Sequence, residues 1–111
     1  MYPITRSTSD ASAAAVATTP VALDPFMSQF QATIVCTVTS TANYTVQFTL
    51  DQIQADGYVP ANGNWVTVTG LSAQTTTQAV ALNQPVMGIR MVQNSGAGSV
   101  SMTVLQTGAG N

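Results

Sequence analysis

The sequence predicts an all-β protein, an antiparallel β-sandwich of jelly-roll-like build with an extended N-terminal arm. Three observations predict it. From Phe26 onward apolar and polar residues alternate with period two, the spacing of half-buried strands. The alternating runs are short, recur at intervals of about 8–12 residues and have turn residues between them. Thr, Val and Ile, whose branched side chains suit a pleated surface, account for 17, 13 and 4 of the 111 residues.

The composition changes near Asp24, which divides the chain into an arm over residues 1–24 and a sandwich body over 25–111. The arm is small, polar and alanine-rich, with Pro3 and Pro20 as breakers and no sustained amphipathic period. A turn or two of alanine-rich helix between Asp10 and Ala17, capped by Ser9 or Asp10, would be marginal alone. The order of such an arm has to come from contacts, and two placements are open: across a neighbouring subunit, or back on its own sheet as an edge strand.

In the body, Phe30, Ala32, Ile34, Cys36 and Val38 alternate with Gln31, Thr33, Val35, Thr37 and Thr39, and Tyr44, Val46, Phe48 and Leu50 form the inward face of the next strand. Residues 39–43 are expected to join these two as a hairpin. A loop over 51–64 follows, with Asp56, Gly57, Pro60 and the Asn62-Gly63 pair as turn chemistry. Shorter strands are expected from Trp65 to Thr69, Thr76 to Leu82 and Val86 to Gln93. A second hairpin turning at 94–98 leads to the last strand, Ser99 to Gln106.

Two Arg and four Asp, with no Lys, Glu or His, leave the chain about 5% charged at a net charge of −2, against roughly 25% in an ordinary domain. The missing residues exclude chemistry. Without His there is no imidazole base and no Ser-His or Cys-His dyad; without Lys there is no Schiff base and no P-loop lysine. The single Cys36 makes neither an internal disulfide nor a zinc site, and in the apolar register of its strand it reads as buried and inert. Two Arg in an acidic chain do not grip nucleic acid. No run approaches 18 apolar residues, so no transmembrane helix is expected. The apolar stretch from Ala11 to Leu23 is read as uncleaved, because Thr18, Thr19 and Pro20 interrupt it and only Arg6 precedes it as a cation.

The surface such a composition leaves is unusual. Exposed strand edges are normally defended by charge, Lys above all. Here the outward positions carry Thr, Gln, Ser and Asn. Either neighbouring subunits cover those edges, as depletion of charge at interface cores suggests, or hydroxyls and amides alone keep the sandwich soluble.

Single residues divide in the same way. Trp65, Tyr44 and Tyr58 are core anchors or stacking surfaces. Arg90 is an interface anchor or pairs with Asp51 or Asp56. Those two carboxylates and Asp24 are the candidates for acid-base work or calcium, but calcium loops need more carboxylates at closer spacing, so neither an enzyme nor a metal site is expected. Gly96-Ala97-Gly98 lacks the third glycine and the helix of a phosphate loop and reads as a turn. Asn43-Tyr44-Thr45 matches a glycosylation acceptor, which has meaning only in a secreted chain. Met27, Met87, Met91 and Met102 read as core or interface filler.

Three segments of the C-terminal half carry a family resemblance. They are Trp65-Val66-Thr67-Val68-Thr69-Gly70-Leu71, Pro85-Val86-Met87-Gly88-Ile89-Arg90-Met91 and Gly98-Ser99-Val100-Ser101-Met102-Thr103-Val104-Leu105-Gln106. The region from Tyr44 to Gly108 resembles small virion structural proteins of tailed bacteriophages, in which a Pro-Val-x-x-Ile-Arg strand and a final alternating strand close a compact β body. The resemblance implies a head decoration or cement protein seated on the capsid, often as a trimer, with an N-terminal arm reaching across shell subunits. It carries over no binding residue. On this reading the protein is made in the host cytoplasm and resides in the virion, its partners are the major capsid or other virion proteins and copies of itself, and it uses no cofactor. The expected contact residues are Tyr2, Ile4, Arg6, Val16, Val21 and Leu23 of the arm, with Arg90 as a polar anchor. A head-to-tail connector, tail or fibre component, or a carbohydrate- or receptor-binding sandwich using Trp65, Tyr58 and the 51–64 loop, are the alternatives.

Overall fold

A computed structural model describes residues 3–25 and 28–109. Among these residues nine strands run in chain order: β1 (Ile4–Ser9), β2 (Val16–Ala17), β3 (Val21–Ala22), β4 (Ser28–Thr39), β5 (Asn43–Thr49), β6 (Val66–Thr67), β7 (Gln78–Leu82), β8 (Gly88–Ser95) and β9 (Ser99–Ala109). One 3₁₀ turn, Pro60–Asn62, interrupts the 51–64 loop.

The pairing is nested. β1 lies antiparallel to β9, β2 and β3 to β8, β4 to β7 and β5 to β6. Two further antiparallel pairings, β4 with β9 and β5 with β8, roll these pairs into two sheets. One has the order β1-β9-β4-β7; the other has β2-β8-β5-β6, with β3 also on β8. Consecutive strands therefore lie in different sheets, except β2 with β3 and β5 with β6. Residues 39–43 and 94–98, expected as hairpins, instead cross from one sheet to the other. Alternation dictates which side chains of a strand face inward and is silent on which strand lies beside it.

The inner faces share one hydrophobic cluster: Ala32, Ile34 and Cys36 of β4 and Val100, Met102 and Val104 of β9 from the first sheet, and Tyr44, Val46, Ile89 and Met91 from the second. The result is a sandwich-like all-β body. Cys36 is fully buried, and desolvation pushes its thiol up to about 12, which leaves it inert at neutral pH. Tyr44 is equally buried and donates its hydroxyl to the Thr76 carbonyl at 2.8 Å. The period fails at the end of β5. Leu50, expected inside, is 69% exposed, while Thr49 turns inward because its hydroxyl donates to the Asn64 carbonyl and accepts the Asp51 amide.

The crossings meet at one end. Gly98 N–H donates to Thr41 O at 2.7 Å, and Asp10 and Ala11 N–H donate to Gly98 O and Gly96 O. Gly96 has φ +100°, and a Cβ there would run into the Thr41–Ala42 backbone, so this corner requires glycine.

The N-terminal segment departs most from expectation. Residues 4–22 are not an extended arm but three strands on the chain's own sheets, and β1 pairs residue for residue with β9 from Ile4↔Val104 to Ser9↔Ser99. Two buried glutamines fasten it. Gln93 accepts from Thr8 Oγ1 at 2.8 Å while its amide donates to Gly96 O and Gly98 O, tying β1 across the core to the 96–98 turn. Gln106 accepts from Asp24 N at 2.9 Å and donates to Asp24 O at 2.6 Å, replacing a strand partner where the segment leaves the sheet. Buried amides satisfied in this way stabilise one arrangement, since any other would leave them unpaired.

Candidate partner-binding site

Two surfaces hold the chain's two cations, and the 51–64 loop touches both. The first is a groove of about 450 Å³ between the N-terminal strands and that loop, with Ile4, Arg6, Pro20, Ile53, Tyr58 and Pro60 in its walls. Alternation along β1 turns Thr5 and Ser7 outward, where their hydroxyls bond across to Thr103 at 3.0 Å and Ser101 at 2.9 Å. Ile4, Arg6 and Thr8 take the inward positions. Arg6 thus lies opposite Met102 on the inner side of a strand at the sheet edge. Its Nε is buried and has no hydrogen-bond partner.

The second surface is built on the outer face of the other sheet. Arg90 of β8 is in register with Gln47 of β5, and its Nε donates to Gln47 Oε1 at 2.9 Å. Its guanidinium carbon lies 4.4 Å from the centroid of the Trp65 ring, a cation–π stack. Trp65 Nε1 donates to Pro60 O at 2.8 Å, and the Arg90 guanidinium approaches the same carbonyl at 3.5 Å. Asp51 closes the loop by accepting from Asn64 N at 2.7 Å and from the Tyr58 hydroxyl at 3.4 Å. The Asn64 N–H, the largest influence on Asp51, holds its carboxyl below the usual range. Desolvation first, and then the Asp51 charge, push the Tyr58 hydroxyl up. Desolvation also draws Arg90 down from its usual value, with Tyr58 opposing.

The expected contact residues separate in this structure. Tyr2 lies outside the described residues. Ile4 and Arg6 share the groove. Val16 of β2 is 36% exposed, whereas Val21 and Leu23, at 0% and 7%, belong to the chain's own core and present no tether. Arg90 pairs with neither Asp51 nor Asp56; Gln47, Trp65 and Pro60 occupy it. Trp65 is half-buried beneath Arg90 rather than part of the core cluster. Sequence reading missed Gln93 and Gln106, although Gln106 shares the inward register of Met102 and Val104 in its strand, a signal that marks a buried amide.

No group of three or more His, Cys, Asp or Glu that could hold a metal occurs among the described residues, nor any helix long and apolar enough to cross a membrane. No protein-family model matches the chain, and no curated protein does.

Proposed function

We propose that the protein is a virion structural protein of the capsid decoration or cement type, non-catalytic, with a jelly-roll body that binds shell proteins and copies of itself, a trimer being the favoured assembly. The observation that carries this reading is the nested strand pairing. Four antiparallel pairs that alternate between two sheets and roll up through β4–β9 and β5–β8 support a jelly-roll body, an architecture used by viral capsid and lectin domains.

The outer face of the β1-β9-β4-β7 sheet supports a role in assembly. Its rows run Thr5–Thr103–Val35–Ala79 and Ser7–Ser101–Thr37, without a charge among them. A free monomer gains nothing from such a face, while a subunit packed against others buries it without desolvating ions. Stabilisation would follow mass action: each bound copy favours the assembled shell over the dissociated one. Since residues 4–22 are strands of the body, the particle contact is made by the folded surface and its edges rather than by a free arm.

The connector, tail or fibre alternative differs in copy number. A glycan module using Trp65 is less well supported, because Arg90 occupies a face of that ring. Quantitative mass spectrometry of purified particles from the source tests the proposal. Copies near parity with the major shell protein are expected; a small fraction moves the protein to the portal, tail or fibres, and absence from particles overturns the reading.

A further inference from the structure

Among the described residues, Arg6 is a cation without a counter-charge. Among the described residues no hydrogen bond or ion pair reaches it, and its Nε is removed from water. Asp10 accepts from the Ser12 hydroxyl and amide, and Asp51 accepts from Asn64 N, so neither carboxylate serves Arg6. An Nε–H held this way has lost its water without a partner's compensation. It also lines an open groove whose Ile4, Pro20, Ile53 and Pro60 walls lower the local dielectric and strengthen any ion pair formed there.

We infer that the groove is a carboxylate-binding site that takes an Asp or Glu side chain carried on an extended segment of a protein partner. One guanidinium matches one carboxylate in a bidentate, charge-assisted pair. Apolar walls on both sides call for apolar neighbours to the acidic residue. β1, which carries Arg6 and Ile4 into the groove, is an edge strand, so a segment in strand conformation has backbone groups to lie against. A polyanion is a poor occupant, because a single cation on a chain of net charge −2 neutralises one phosphate and repels the rest. The inference deepens the decoration reading by naming the chemistry of the contact, and rests on that reading only for who the partner is.

The two-arginine composition supplies the test. The guanidinium Nε–H region of a ¹H–¹⁵N spectrum of the full chain holds two signals, and Arg90, whose Nε is bonded to Gln47, is the internal reference. The probes are the capped tripeptide acetyl-Val-Glu-Val-amide, its Gln counterpart and inorganic phosphate. The Glu peptide is expected to shift the Arg6 signal saturably, about tenfold more tightly than the Gln peptide, and to leave Arg90 in place. The Arg6→Gln variant is expected to lose the saturable shifts of the Ile53 and Tyr58 amides; should it fail to fold, the Glu–Gln comparison on the natural chain decides alone. No saturable shift, equal shifts with both peptides, or tighter binding of phosphate than of the Glu peptide overturns the inference. These outcomes are independent of the particle census. A chain absent from particles that still discriminates Glu from Gln keeps the site and loses the decoration role, and the converse holds.

Discussion

Arg90 and Arg6 are the same side chain in opposite circumstances. Arg90 stands on an outer sheet face and finds an amide, an aromatic ring and a carbonyl within its own chain. Arg6 stands on an inner face at a sheet edge with its Nε buried and unpaired. In a chain that keeps only two cations, one fastens a loop and the other is left over. The difference shows that charge position, more than charge count, separates a structural cation from one available to a partner.

The comparison breaks most sharply at the Arg90 platform. Gly63 sits where a Cβ would meet the Tyr58 hydroxyl, Trp65 Nε1 at 2.9 Å and Asp51 Oδ2 at 3.1 Å. Gly63→Ala is expected to lower stability by about 2 kcal/mol, the scale of overpacking a fitted site, and to displace the loop. Thermal unfolding and the Trp65 fluorescence maximum check it; an unchanged spectrum would mean that the loop does not hold Trp65 in place. Arg90→Met keeps the length and removes the cation–π stack and the Gln47 bond, at an expected cost of about 1–1.5 kcal/mol, or roughly 5 °C in Tm. Arg6→Met, the matched change in the groove, is expected to fall within about 0.5 kcal/mol of neutral or to stabilise, because it removes a buried unsatisfied donor. Equal losses from the two Met variants would erase the distinction between the sites.

Much of the body was legible because its strands obey one rule. Ile34, Cys36, Val100, Met102 and Val104 recur at every second position, mostly between Thr and Ser, and each lies in the core as its register requires. The rule loses information at two points. It does not tell a hairpin from a crossing between sheets, so residues 39–43 and 94–98 read as hairpins where the chain changes sheet. It also depends on apolar residues to mark the inward side, and β1 puts Arg6 and Thr8 there. Its alternation is present in the sequence but disguised as polarity, and a strand read as an arm resulted. The site suffered from the same disguise. Arg90 was visible as a cation in a strand, yet its partners Gln47 and Pro60 lie 43 and 30 residues away, separations set by register and loop path rather than by any local motif.

The smallest expected effect separates the two surfaces by pH. Asp51 holds the loop near Arg90 through Asn64 N, and that bond keeps its folded pKa below the unfolded value of about 3.9. A group with a depressed folded pKa adds stability that is complete above the unfolded value and is lost as pH falls through the folded one. Stability is therefore expected to decline as acid protonates Asp51, first in the loop around Trp65, and Asp51→Asn is expected to flatten that part of the profile. The carboxyl is only partly buried, so the change is small and is best read from Trp65 fluorescence in an acid titration. None of the residues named in the walls of the Arg6 groove titrates in the acid range, and only Tyr58 among them bonds to Asp51, through a long 3.4 Å contact, so the amide shifts of Ile4 and Arg6 should stay constant over the same interval. Acid-dependent shifts at Arg6 that follow those at Trp65 would mean that the loop couples the two surfaces, and the groove would then open or close with the state of Asp51.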